Sequence, residues 1–320
     1  MCYCEPRVLP EQVIGYSLAC ILLSFEYKFH IHREFNMSIS RKVVTSSLAA
    51  GLLSCAALGT LAVAQTAAPA APAAAPTPAD PGPLTANVSL TNDYRYRGIS
   101  QSNLQPAIQG GFDYAHSSGF YIGNWNSSIS WISDAASAAG KSASAPIEMD
   151  FYAGYKYEWS KGFTADVGVL QYYFPTSGAT GFTTNPNSTE LYAAQNFTFD
   201  SVTGYVKFSY AVTTLFGFSN SSGSNYTDLT VNYDTGVWGL TLNAHAGYQY
   251  IAGTAGGSNV TNDSLYSYTD WKLGVTKDFG SGLSLGVAYL GTNAKKGAYI
   301  NSQGKALGGD TVLATLTKTF

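Results

Sequence analysis

Cysteine is scarce in this sequence, and the larger part of the chain has none. The four cysteines among the 320 residues are Cys2, Cys4, Cys20 and Cys55. All four precede Ala64, the end of a predicted signal segment. The chain that follows would therefore have no disulfide, no cysteine nucleophile and no cysteine ligand for zinc.

Charged side chains are also few, and neither sign dominates. They make up 12% of the sequence, and the formal net charge is −3 at pH 7. Proteins that bind nucleic acids usually carry a basic surface, so we exclude nucleic acid as a partner. Beyond residue 64 the histidines are His116 and His245, and no cluster of carboxylates accompanies them in the sequence. We therefore expect no metal site and no cofactor.

The N-terminal region has the features of an export signal. A basic stretch that starts at Met37 is followed by the uncharged, Ala/Leu/Val-rich segment 43–61 and by a small-x-small site that ends at Ala64. This order predicts a cleaved secretory signal at 37–64. Because such a signal should begin the chain, we interpret residues 1–36 as an upstream extension from a misassigned start. A genuine N-terminal extension is the alternative.

Proline is concentrated in one short tract. Residues 65–83 are rich in alanine and hold six of the twelve prolines. Such a composition cannot build a packed core, so we interpret it as a periplasmic linker. The later prolines lie in loops or at strand ends, where they do not interrupt a hydrogen-bonded ladder.

From residue 84 to 320 the sequence alternates apolar with polar or small residues. Val206 and Phe208 share one face of a strand, for example, while Lys207 and Ser209 occupy the other. The segments are about 10 residues long, the length of a tilted membrane-spanning strand. The twelve predicted strands are 85–97, 106–115, 120–132, 147–158, 163–173, 189–199, 202–212, 225–234, 239–250, 268–279, 283–292 and 311–320.

The connections between these strands alternate between short and long. Tight turns such as 116–119 and 280–282 alternate with long polar loops such as 133–146 and 251–267. Short periplasmic turns and long external loops are typical of an outer-membrane barrel. The predicted fold is therefore an all-β, transmembrane, antiparallel up-and-down β-barrel of about 12 strands over 84–320.

Charged residues of the predicted strands fall mainly on the polar face. If apolar faces contact outer-membrane lipid, these charges face the lumen, and we predict that they line a pore. They could form a mixed-charge constriction that filters solutes, or paired networks that plug a narrow barrel. The predicted pore-lining residues are Asp93, Arg95, Arg97, Glu148, Asp150, Lys156, Asp166, Lys207, Asp228, His245, Asp270 and Lys272.

Three motifs near the start of the barrel carry a family resemblance. The stretches 89–101, 106–114 and 119–125 resemble the Gcw_chp family of proteobacterial outer-membrane proteins, also called TorF-family porins. The resemblance implies an outer-membrane barrel with channel activity, and it lends no catalytic residue. The terminal Phe320 also resembles the signal that the barrel insertion machinery reads.

Together these features predict a porin of the Gram-negative outer membrane that passes small hydrophilic solutes by passive diffusion. Export through a cleaved signal is expected, and the oligomeric state is left open. One alternative is a structural or adhesive barrel that binds partners through its extracellular loops. Another is an outer-membrane hydrolase that uses His245 or His116. We do not expect an enzyme, because no arrangement of nucleophile, histidine and carboxylate stands out in the sequence.

Overall fold

A computed structural model describes residues 83–182 and 184–320. The predicted upstream extension 1–36, the signal 37–64 and nearly all of the linker 65–83 lie outside the described residues. The first strand begins at Leu84. Neither helix in the described part of the chain is long and apolar enough to cross a membrane.

Strands account for most of the described chain. They are β1 Leu84–Thr91, β2 Arg95–Tyr96, β3 Ile99–Ser100, β4 Ala107–Ala115, β5 Phe120–Ser128, β6 Ala143–Ser144, β7 Ile147–Ser160, β8 Phe163–Tyr173, β9 Ser177–Gly178, β10 Ser188–Phe199, β11 Val202–Ala211, β12 Asn225–Asp234, β13 Leu240–Tyr250, β14 Tyr268–Asp278, β15 Leu283–Thr292 and β16 Thr311–Thr319. The helices are α1 Trp131–Ala138 and α2 Asn262–Tyr266.

Twelve of these strands close into one antiparallel barrel. Its order is β1-β16-β15-β14-β13-β12-β11-β10-β8-β7-β5-β4, and β4 returns to β1. Leu90 of β1 is opposite Leu316 on one side and Ile108 on the other, so β1 closes the ring. A closed sheet leaves no unpaired edge. The predicted twelve-stranded barrel is confirmed.

The alternation of the strands places apolar side chains outside and polar side chains inside. In β14, Leu273 is 61% exposed on the outer surface, whereas Asp270 is 3% exposed on the inner face. Leu90, Ile108 and Phe120 are exposed on other strands in the same way. This is the reverse of a water-soluble barrel, and it is the arrangement of barrels that stand in lipid.

The prediction of a continuous strand over 85–97 was wrong, because β1 ends at Thr91. The side chain of Asn92 takes the place of further strand backbone: Nδ2 donates to Val312 O at 3.0 Å, and Oδ1 accepts from Ala314 N at 2.8 Å. The chain then leaves the wall and forms the β2–β3 hairpin. Both central residues of its turn, Arg97 and Gly98, have positive φ, as a tight hairpin turn requires.

The predicted strand 120–132 was also too long. It ends at Ser128, and the helix α1 begins at Trp131. Ile132 and Ala136, four residues apart and therefore on one helical face, are fully buried, and Ile132 packs in a cluster with Tyr94 and Trp125. Burial of this apolar face favours a helix where the strand pattern fades.

Candidate functional site: a hairpin that divides the lumen

The residues that follow β1 fold into the barrel as a compact unit, here called the lumen hairpin (residues 93–102). Asp93 holds its base together. The carboxylate accepts hydrogen bonds from Arg95 Nε at 2.5 Å, Ser100 Oγ at 2.6 Å and Ser102 Oγ at 3.2 Å. One buried side chain therefore joins both limbs of the hairpin, with the Arg95 charge paired inside it.

The tip of the hairpin reaches the opposite wall of the barrel. Arg97 Nη2 donates to Glu190 Oε2 on β10 at 2.7 Å, and Nη1 donates to Gln249 Oε1 on β13 at 2.6 Å. The guanidinium carbon lies 4.3 Å from the ring centroid of Tyr226 on β12. These strands face β1 across the ring. The hairpin therefore crosses the lumen and is attached at both ends.

The surroundings of Arg97, at the tip of the hairpin, keep its guanidinium protonated. Burial acts to lower the pKa of Arg97, but Glu190 and the neighbouring tyrosines outweigh burial and raise the pKa above its usual value. Burial also raises the pKa of Tyr96 well above its usual value. The Tyr96 hydroxyl is 2.6 Å from that of Tyr172, which in turn donates to Glu190 at 3.2 Å. The network therefore contains a permanent cation and neutral phenols.

The hairpin separates two cavities. The outer cavity has a volume of about 440 Å³ and is lined by α1 and by loop residues such as Phe218 and Tyr299. The inner cavity has a volume of about 100 Å³ and is lined by residues of β11 to β16 and by the hairpin. Tyr96 lines both, so its side chain stands at the partition.

The inner cavity contains charges of both signs. Positive groups come from Arg95, Arg97, Lys207 and Lys272, and negative groups come from Asp228 and Asp270. These six belong to the predicted pore-lining set, and the structure brings them together around one space.

His245 stands between the two carboxylates of the inner cavity. Its Nε2 is 2.9 Å from Asp270 Oδ1 and 3.0 Å from the Tyr226 hydroxyl. Its Nδ1 is 3.0 Å from Thr230 Oγ1 and 3.8 Å from Asp228 Oδ1. Both ring nitrogens thus have polar partners, and the imidazole is held in one orientation.

A second group of predicted residues lies on the other side of the lumen, in a tyrosine-rich network. Tyr121 donates to Asp166 at 2.6 Å, and its ring lies 4.9 Å from Lys156 Nζ. Its hydroxyl also contacts that of Tyr192. Lys156 and Asp166 therefore belong to this network and do not line the inner cavity.

An inward tyrosine of the inner cavity lies flat over a glycine of the neighbouring strand. A Cβ atom built on Gly247 would be 2.0 Å from the Tyr226 hydroxyl. The absence of a side chain on Gly247 therefore lets the Tyr226 ring lie along the wall, where Arg97 of the hairpin covers it.

The remaining predicted residues, Glu148 and Asp150, face the loop end of the lumen from β7. Glu148 lines the outer cavity. Both carboxylates are 3% exposed, and neither is in an ion pair within the described residues. They differ in this respect from Asp93 and Glu190, which have arginine partners.

Sequence reasoning missed several residues that build this site. Glu190, Tyr226 and Gln249 receive the tip of the hairpin, and the alternation of β10, β12 and β13 already placed them on inward faces. The aromatic lining of the outer cavity was missed as well, because its members come from separate loops. The sequence identifies those loops only as long and polar.

Comparison with known proteins gives the family of this closed, apolar-surfaced barrel. Residues 75–320 match the family described as "Bacterial protein of unknown function (Gcw_chp)". The chain belongs to that family, which confirms the resemblance carried by the motifs of the first strands. A search of the curated proteins found no match.

Several solved porin structures are similar to this chain at low identity. The KdgM porin is 7% identical, with coverage of 74% of this chain and 97% of that one and a TM-score of 0.43. The NanC porin is 10% identical, with coverage of 74% and 98% and a TM-score of 0.46. OprD from Pseudomonas aeruginosa is 12% identical, with coverage of 74% and 66% and a TM-score of 0.38.

Proposed function

We propose that this protein is an outer-membrane porin that passes small hydrophilic solutes by passive diffusion. The observation that carries the proposal is the inverted barrel, with exposed Leu, Ile, Phe and Val outside and charged groups around internal cavities. Lipid favours such an exterior, and a bilayer offers no hydrogen bonds to an open sheet edge. Charged groups around internal cavities are also what a lumen that admits water and solutes requires.

The passage would run beside the lumen hairpin, which would form its narrowest region. Below the hairpin, the wall formed by β14, β15 and β16 presents small side chains on the faces that continue from Lys272, Leu290 and Leu313. These small residues are Gly274, Gly286, Ala288, Thr315 and Thr317. Such small side chains would leave room on one side of the lumen, opposite the tyrosine-rich network. A solute would meet the outer cavity, the hairpin and the mixed charges in that order.

Single-channel recording tests the proposal. The full protein, folded in detergent, is inserted into a planar bilayer with a salt gradient across it. Discrete conductance steps with a defined reversal potential are expected. A correctly folded barrel that gives no steps would contradict passive diffusion, and the lumen hairpin would then be a permanent plug.

A hydrolase is the second candidate, because Thr230, His245 and Asp270 form a hydroxyl–imidazole–carboxylate chain with contacts of 3.0 and 2.9 Å. Such a chain is the geometry of an activated nucleophile. Thr230 is only 4% exposed, however, and the adjoining cavity is about 100 Å³. Esterase activity that is lost in His245→Ala and in Thr230→Val would support this candidate.

A further inference from the structure

The outer cavity has walls and charges that suit one chemical class of ligand. We infer that it binds small organic cations with an aromatic or other apolar body, such as aryl-substituted quaternary ammonium ions. The inference rests on the proposed porin function in one respect, because it names the solute that the loop end of the pore would select. Binding itself does not require conduction.

The first argument is the aromatic composition of the walls. In one group, Trp131 packs against Phe174 and Phe182, with ring centroids 5.3 and 5.5 Å apart. In a second group, Phe218 packs against Tyr266 with ring centroids 4.7 Å apart. All five side chains line the same cavity. Faces of aromatic rings attract cations electrostatically, and quaternary ammonium ions are recognised by such cages.

The second argument is the sign of the charge. Asp134 of α1 and Glu148 of β7 line the cavity, and among the described residues its lining includes no lysine, arginine or histidine. The guanidinium of Arg97 lines the inner cavity and not the outer one, and it is held there by Glu190 and Gln249. An anion would therefore find no compensating charge, whereas a cation would be attracted by Asp134 and would favour the ionised form of the buried Glu148.

The third argument is that the acidic wall lacks its own counter-charge. Asp150, two residues from Glu148 on the same face of β7, has a buried Oδ1 with no hydrogen-bond partner. Burial of a carboxylate without a cationic partner is costly. A ligand cation beside Glu148 would offset this cost.

The cavity also has an appropriate size. Its volume of about 440 Å³ lies within the range of small-molecule sites, about 300–1,000 Å³. A sodium or potassium ion would use only the carboxylates, while an aryl ammonium ion would also cover the aromatic walls. Contact with both features is what favours the organic cation.

Isothermal titration calorimetry on the full protein folded in detergent tests the inference. The probe is benzyltrimethylammonium. The controls are phenylmethanesulfonate, which joins the same ring to a tetrahedral anion, and benzyl alcohol, which has no charge. We expect benzyltrimethylammonium to bind at least tenfold more tightly than either control. Equal affinity for the three compounds, or preference for the sulfonate, would overturn the inference.

Matched variants assign the effect to the cavity. Glu148→Gln should weaken benzyltrimethylammonium binding by about tenfold, because it removes a charge without changing the shape. Glu158→Gln makes the same change at the exposed turn end of β7 and should leave the affinity unchanged. Phe218→Leu should weaken binding of the cation by several-fold and change that of benzyl alcohol less. If Glu148→Gln does not fold, Asp134→Asn on α1 replaces it.

Failure of this inference is distinguishable from failure of the porin proposal. Conductance without selective cation binding would overturn the inference and leave the porin intact. Selective binding, lost in the cavity variants, without conductance would support the binding site and overturn the porin. Affinity that is the same in Glu148→Gln, Asp134→Asn and Glu158→Gln would exclude this cavity as the site.

Discussion

The two cavities on either side of the lumen hairpin differ in both lining and charge. The outer cavity is wide, aromatic and acidic, whereas the inner one is small and holds lysine, arginine, histidine and aspartate together. The hairpin supplies part of each lining: Ile99 faces the outer cavity, Arg97 faces the inner one, and Tyr96 faces both. A segment of ten residues therefore creates two different environments in one barrel.

Removal of the partition should have the largest effect. Gln101 N already donates to Tyr94 O at 2.8 Å, so the ends of residues 95–100 lie side by side. Replacement of these six residues by two glycines should merge the cavities and increase single-channel conductance several-fold, because the narrowest region disappears. Conductance that stays the same in a folded variant would mean that the hairpin is not the narrowest point.

Loss of the contact at the tip should have the next largest effect. Arg97→Ala leaves Glu190, which is 1% exposed, as an unpaired buried carboxylate. The free energy of unfolding, measured by denaturant titration in detergent, should fall by about 3–5 kcal/mol. The double variant Arg97→Met/Glu190→Leu should recover most of this loss, since it removes both charges. A single variant that costs less than about 1 kcal/mol would contradict the pairing.

The root of the hairpin should be less sensitive than the tip. Asn92→Ala removes two side-chain contacts with the backbone of β16, at Val312 O and Ala314 N. Their loss should lower the free energy of unfolding by about 1–2 kcal/mol. Asn92→Asp keeps the acceptor for Ala314 N but places a carboxylate oxygen against Val312 O, so it should cost at least as much as Asn92→Ala in the same denaturant titration. The reverse order would show that Asn92 does not end β1 by replacing strand backbone.

Much of the wall could be predicted from the sequence, and the hairpin could not. The wall follows from a period of two and from short turns at every second connection, both of which are local properties. Asp93, Arg95 and Arg97 continue the same alternation after the chain has left the wall, because a hairpin and a barrel strand share that period. Within the hairpin, Gly98 was the one residue whose type indicates a turn. The partners of the tip, such as Glu190, are distant in sequence and are brought close only by closure of the barrel.

Neutralisation of one lysine should alter the inner cavity alone, with the smallest expected effect. Lys207 lines the inner cavity and lies 4.4 Å from the ring centroid of Tyr192, so its charge is held in the lumen. Lys207→Gln should shift the permeability ratio toward cations by about twofold, read from the reversal potential in a salt gradient. Lys305→Gln, at an exposed loop position, is the matched control and should leave the ratio unchanged.

Benzyltrimethylammonium binding should be the same in both variants, because Lys207 does not line the outer cavity. Equal shifts of the reversal potential in the two variants would mean that surface charge, rather than the inner cavity, sets the selectivity.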